Sequence, residues 1–222
     1  MEFIRIENLS KQYTEDQAGF PALNRVSLTI KQNEFVAVMG KSGSGKSTLL
    51  SVLGALNTPT SGKCLVDEID IYALNRDQQA DFRREYLGFV FQSFYLLPYL
   101  TSLENVMVPL AITKHPASRK KEMALKALNQ VGLEKKTGHL PSQLSGGEQE
   151  RVAIARAVVN EPRIILADEP TGNLDTRTGQ EVMELLSLLN SQGITVVLVT
   201  HSRENASNAT RILNMSDGRL SD

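Results

Sequence analysis

The run Gly40-Lys41-Ser42-Gly43-Ser44-Gly45-Lys46-Ser47 concentrates the chemistry of this chain, because it fits G-x-x-x-x-G-K-[ST] throughout. In such a run the glycines let the backbone wrap until its N–H groups aim at phosphate oxygens. The helix that follows adds partial positive charge at its N-terminus. Lys46 would reach the β- and γ-phosphates, and Ser47 would offer its hydroxyl to Mg²⁺. Gly40 to Thr48 are therefore candidate phosphate contacts, with Lys46 also a candidate catalytic group and Ser47 a candidate metal ligand. The pattern speaks for a nucleoside triphosphate and leaves kinase, GTPase and ATPase chemistry open.

A loop of this kind needs a buried strand before it and a helix after it. Phe35 to Met39 is wholly apolar, as expected of a strand buried on both faces. Thr48 to Leu56 carries helix formers, and Pro59-Thr60-Ser61-Gly62 closes the unit. Phe3 to Leu9, Ala22 to Ile30, Lys63 to Val66, Leu87 to Phe91, Ile164 to Ala167 and Ile194 to Val199 also read as strands. The polar stretch from Thr14 to Pro21 reads as a loop. Arg76 to Arg84 is a polar helix, and Thr178 to Leu189 is an amphipathic one with Val182, Leu185, Leu186 and Leu189 on one face. Arg211 to Leu220 reads as a hairpin turning at Ser216-Asp217-Gly218. Between Gln92 and about Asn160 the pattern is different. Helices over Ser118 to Val131 and Ser145 to Val159 make this an all-α insertion in an α/β chain. Alternating strands and helices elsewhere predict a mostly parallel sheet covered on both faces.

Composition narrows the function. At 222 residues the chain is one domain, and 41% apolar residues supply a core. Lys plus Arg number 24 against 25 Asp plus Glu, so the basic excess of a nucleic-acid binder is absent. The lone cysteine, Cys64, excludes an intramolecular disulfide and a cysteine-rich metal site, and suits a reducing compartment. Met1-Glu2-Phe3-Ile4-Arg5 alternates polar and apolar residues and has no leader-like apolar stretch. The apolar runs fall far short of the ~20 residues that cross a bilayer. The chain is expected not to span a membrane, though it can sit on a protein that does.

Leu144-Ser145-Gly146-Gly147-Glu148 separates the remaining chemistries. Read locally, S-x-x-E is a capping box that starts a helix. Taken with the phosphate loop and the spacing between them, it resembles the signature of ATP-binding-cassette (ABC) ATPases. The resemblance covers essentially the whole chain, as far as Asp217-Gly218. It implies a P-loop NTPase core with an antiparallel β subdomain (residues 1–91 and 161–222) and an inserted all-α subdomain (residues 92–160) carrying the signature. It further implies that Ser145, Gly146, Gly147 and Glu148 face the γ-phosphate of an ATP held by a second subunit. Ile164 to Glu169 resembles the Walker B strand, so Asp168 would hold Mg²⁺, mainly through water, and Glu169 would orient and polarise the attacking water. Gln92 resembles the Q-loop glutamine that senses Mg²⁺ and γ-phosphate. His201 matches the switch histidine, able to bond the γ-phosphate and help position Glu169. Tyr13 sits where the family keeps an aromatic that stacks on adenine, and Asn173-Leu174-Asp175 resembles the D-loop.

Two longer stretches, Ala167 to Asp175 and Leu96 to Val106, resemble the branch of lipoprotein-releasing, macrolide-export and cell-division ATPase subunits. That branch implies a bacterial or archaeal homodimer on the cytoplasmic face of the inner (plasma) membrane, paired with an integral-membrane permease for export or lipoprotein release. A cell-division signalling ATPase, an importer ATPase and a soluble non-transport ABC protein are the alternatives. Lys41, Glu148, Glu150 and Ser202 depart from common family residues without removing a catalytic group. The apolar connector Phe94 to Leu100 is expected partly to line a groove for a permease helix, with Tyr99 as its anchor.

Overall fold

The computed structural model describes residues 2–13 and 21–221. The loop read for 14–21 lies, apart from Pro21, outside the described residues. Two sheets carry the fold. The first has the order β2-β1-β4-β5 and is antiparallel throughout, built from β1 (Glu2–Lys11), β2 (Leu23–Lys31), β4 (Ser61–Val66) and β5 (Ile69–Asp70). Asp67 and Glu68 join the last two strands, both at positive φ, as a tight two-residue hairpin turn requires.

The second sheet has the order β10-β9-β3-β8-β7-β6. Its members are β3 (Phe35–Met39), β6 (Leu87–Phe91), β7 (Ile164–Asp168), β8 (Thr195–Thr200), β9 (Arg211–Ser216) and β10 (Arg219–Ser221). All of its pairings are parallel except the terminal β9–β10 hairpin. β8 reads Thr-Val-Val-Leu-Val-Thr and is buried at every position, as a central parallel strand must be. One core cluster joins the antiparallel sheet to one face of the parallel sheet, with Ile4, Ile6, Val36, Val38 and Val197 among its members. A second covers the opposite face, where Ala37, Ile165, Val196 and Leu198 meet the helices.

Those helices are α3 (Ser102–Met107), α4 (Ala117–Gln130), α5 (Gly146–Val158), α6 (Thr176–Ser191) and α7 (Arg203–Ala206), whereas α1 (Lys46–Leu53) and α2 (Arg76–Tyr86) pack into the first cluster through Leu49, Leu53 and Phe82. Every element between β6 and β7 is helical. α3 is an addition to the sequence reading. Thr101 accepts from the Glu104 backbone while the Glu104 carboxylate takes the Thr101 N–H, a reciprocal cap that starts this six-residue helix. Behind it, buried Asn105 accepts from Leu97 N and donates to Leu97 O, Leu100 O and Thr101 O, which folds the connector 97–101 around one amide.

α5 buries one charged-type residue completely. Glu150 is 0% exposed, and neither carboxylate oxygen has a hydrogen-bond partner. Burial pushes its carboxyl up to about 9, only partly offset by the charge of Arg156. The folded chain therefore keeps this proton up to about 9, whereas an unfolded Glu releases it near ~4.3. The associated stability is complete below ~4.3 and is lost as pH rises from there towards the folded value. Glu150→Gln keeps the shape without the proton. It should stabilise the protein by roughly 1–3 kcal/mol at pH 8 and hardly at all at pH 4.5. Urea midpoints across that range check this, and equal pH slopes for both proteins would remove the buried-acid explanation.

Candidate functional site

The site lies where the parallel strands end. Met39 pairs with Thr200, Val199 with Asp168, and Asp168 with Phe91, so the C-terminal ends of β3, β8, β7 and β6 finish in register. The residue after each strand end, or the end itself, then faces a common crevice, the usual ligand position in open α/β sheets. The phosphate loop leaves β3, His201 follows β8, Asp168 closes β7 with Glu169 just after it, and Gln92 follows β6. A cavity of about 700 Å³ opens there, lined by Lys41 to Gly43, Gly45 to Thr48, Gln92, Asp168, Glu169 and His201.

Two glycines have no substitute. Gly45 sits at the N-cap of α1 with φ 105, and a Cβ there would meet the Ala22 carbonyl oxygen at 2.2 Å. A Cβ on Gly40 would meet the Met215 carbonyl oxygen at 2.2 Å. Gly40 and Ser44 do not line the cavity. They shape the loop from beneath, where Ser44 O accepts from Gly218 N. Lys46 is buried, and its ammonium donates to Gly40 O at 2.8 Å and Lys41 O at 3.0 Å. The cation is thus held on loop carbonyls at the cavity floor, ready to exchange them for phosphate oxygens.

On the other wall, Ser47 donates its hydroxyl to Asp168 Oδ1 at 3.2 Å. Burial raises the Asp168 carboxyl above its ordinary range, the Ser47 bond and Lys46 lower it, and the neighbouring Glu169 charge raises it. A paired hydroxyl and desolvated carboxylate form an oxygen donor set that fits a hard divalent cation beside phosphates. Among the described residues no group of three or more His, Cys, Asp or Glu could hold a metal. A cation here would complete its shell with phosphate and water. Glu169 adopts φ 47, outside the usual region for its type, and its N–H is held by Val199 O at 2.9 Å. His201 Nδ1 lies 2.9 Å from Glu169 Oε1. Gln92 accepts at its backbone oxygen from Asn173 Nδ2, which ties the end of β6 to the 173–175 turn.

Other sequence candidates lie elsewhere. Ser145 caps α5 by accepting from Glu148 N while Glu148 Oε2 accepts from Ser145 N. Ser145, Gly146, Gly147 and Glu148 do not line the cavity that holds the phosphate loop. Tyr13 does not line it either. Its hydroxyl accepts from Asn57 Nδ2 at 2.7 Å, and the Lys11 ammonium sits 5.0 Å from its ring centroid. If one ring face remains for adenine, Tyr13→Ala should raise the KM for ATP about two- to tenfold and leave kcat alone. An ATP titration of turnover decides it, and an unchanged KM would end the stacking assignment. Ala22 is a wall residue that the sequence did not announce, since its contribution is backbone contact with the loop.

Strand, glycine-rich loop and helix in this order, with acids arriving on a parallel strand two places along the sheet, beyond β8, make a P-loop nucleotide-binding cassette. The family follows from comparison with known proteins. The profile described as "ABC transporter" matches residues 23–172, and the chain belongs to that family. It is 48% identical, over 98% of its length, to the macrolide export ATP-binding/permease protein MacB of Brucella melitensis. It covers 34% of that relative, so it spans about a third of the length of the macrolide export protein it matches. The uncharacterized ABC transporter ATP-binding protein YvrO of Bacillus subtilis is 44% identical, with 98% of this chain and 95% of YvrO covered. Among solved structures, the dimeric post-hydrolysis state of the ATP-binding cassette MJ0796 bound to ADP and Pi superposes with a TM-score of 0.90 at 44% identity, covering 99% of this chain and 97% of that one.

Proposed function

We propose that this chain is the ATP-hydrolysing subunit of an export-type ABC complex, working as a head-to-tail homodimer on a membrane permease. The observation that carries this reading is the shared cavity of Lys46, Ser47, Asp168, Glu169, Gln92 and His201. Lys46 and the loop N–H groups bind and orient the β- and γ-phosphates. Ser47 and Asp168, with Gln92 beside them, would hold Mg²⁺, which would supply neutralisation of phosphate charge. Glu169 orients and polarises the attacking water. His201, bonded to Glu169, also faces the γ-phosphate. Ser145 and its glycines stand apart from the cavity, so the reading assigns them to the ATP of the partner subunit, where a capped helix N-terminus suits an anion. The dimeric MJ0796 cassette supports this arrangement.

A second feature supports a permease. An apolar groove of about 610 Å³ runs beside β6, lined by Phe89, Phe91, Tyr95, Pro109 and Ile112 among others. MacB is an ATP-binding/permease protein, which favours a permease segment as the occupant. The anchor differs from the sequence expectation. Tyr99 is 73% exposed but does not line the groove, whereas Tyr95, 66% exposed, does. Asn105 turns the connector back after Leu97, and that turn carries Tyr99 away. No helix of the described residues is long and apolar enough to cross a membrane, so this reading has the chain held peripherally at the cytoplasmic face by its permease.

The test is the ATPase rate with and without permease, alongside thermal unfolding. Tyr95→Asp should keep the basal rate and fold while losing at least tenfold of the permease response, the effect of removing an aromatic anchor. Tyr99→Asp should retain most of that response. The reverse order would restore Tyr99 as the anchor, and a full response in both would move the permease off this groove.

A further inference from the structure

We infer that Thr200 is a positioning residue for hydrolysis, the fixed half of a two-point hold on Glu169. Thr200 closes the fully buried strand β8 and is itself 0% exposed. A buried hydroxyl needs partners, and one of its two is the Glu169 carboxylate that lines the cavity. It donates to Glu169 Oε2 at 3.3 Å and accepts from Ser202 N at 3.0 Å. The other carboxylate oxygen, Oε1, is met by His201 Nδ1 at 2.9 Å. Val199 O holds the Glu169 backbone. Consecutive residues of one strand end therefore fix the backbone and both oxygens of a single acid.

The two side-chain contacts are not equivalent. His201 has a side chain 71% exposed, while that of Glu169 is 16% exposed. An exposed imidazole on a residue beyond the strand is free to turn towards a γ-phosphate. When it turns, Oε1 loses its partner. Thr200 cannot follow, because it lies in the sheet ladder opposite Met39 and its β-branched side chain is restricted in χ1. It keeps Oε2, and with it the direction of the carboxylate, through the chemical step. At φ 47 the Glu169 backbone gains nothing from ordinary conformational preference, so its aim depends on such contacts.

This rests on the role given above to Glu169, and the experiment separates the two. Thr200→Val keeps the shape and removes the hydroxyl. Thr200→Ser and Thr200→Ala both lack the methyl and differ only in the hydroxyl, so they remain informative if the valine variant folds poorly. ATP affinity, steady-state kcat and KM, and thermal unfolding are measured on each, with Glu169→Gln in parallel. Valine and alanine should lower kcat roughly tenfold at unchanged KM and ATP affinity, and serine should restore most of kcat. Equal kcat in the serine and alanine variants would overturn the positioning role, as would a wild-type kcat in folded Thr200→Val. Turnover by Glu169→Gln would instead overturn the role of Glu169 itself.

Discussion

Glu169→Gln should bind ATP like the parent chain and hydrolyse it on the order of 10²–10⁴ times more slowly. The amide keeps the length and shape of the side chain, and Thr200 can still donate to its oxygen. What disappears is the carboxylate that polarises water. With nucleotide bound and not consumed, a dimer that encloses ATP should accumulate, visible as a doubled mass in size-exclusion chromatography with light scattering when ATP is present and absent with ADP. Wild-type turnover by this variant would remove Glu169 from the chemistry. Slow turnover without an ATP-dependent dimer would leave Glu169 in place and count against the two-subunit site.

The second large effect is expected at Lys46. Its ammonium bridges Gly40 O and Lys41 O, so it both ties the loop together and presents charge to the cavity. Charge-assisted bonds of this type are each worth about 1.5–3 kcal/mol. Lys46→Ala should weaken ATP binding by roughly 10- to 100-fold and reduce hydrolysis further, because the loop carbonyls lose their donor along with the phosphates. Nucleotide titration by calorimetry reads the first effect. An affinity within threefold of the parent would mean that the backbone N–H groups, not the lysine, dominate phosphate binding. Lys41 also lines the cavity, yet it is exposed and is no substitute for a buried cation on two carbonyls.

How much of this was legible in the sequence depends on how local the signal is. The strand Phe35–Met39 and the hairpin at Ser216-Asp217-Gly218 follow from apolar continuity and turn chemistry, and both appear where those signals put them. α6 runs two residues beyond the expected helix at each end, and its start is set by Asp175, which caps it by accepting from Thr178 N ahead of the first apolar position. α3, at six residues, is too short to show apolar periodicity. Its T-x-x-E cap at Thr101 and Glu104 was the available signal. In the site, the phosphate loop is one contiguous motif and could be read directly. Thr200 and Ala22 could not. One acts through a bond to a residue far along the chain and the other through its backbone, so neither residue type advertises its work. That Tyr95 lines the apolar groove and Tyr99 does not was hidden for a related reason, since the Asn105 amide, further along the chain, folds the 97–101 connector.

The in-register strand ends carry a consequence for how the chain matures. Phe35 pairs with Val196, and Leu87 with Ile164, so the crevice is complete only when segments from both halves of the chain have met. Pairings so distant in sequence form slowly, since loop closure must be achieved before the contacts reward it. An incompletely folded chain therefore has a phosphate loop but no opposite wall. A nucleotide that needs both walls binds the finished form in preference, and a ligand of that kind at a hundredfold excess over Kd deepens the folded basin by about 2.7 kcal/mol. ATP is in this sense also the last reagent of the fold's assembly.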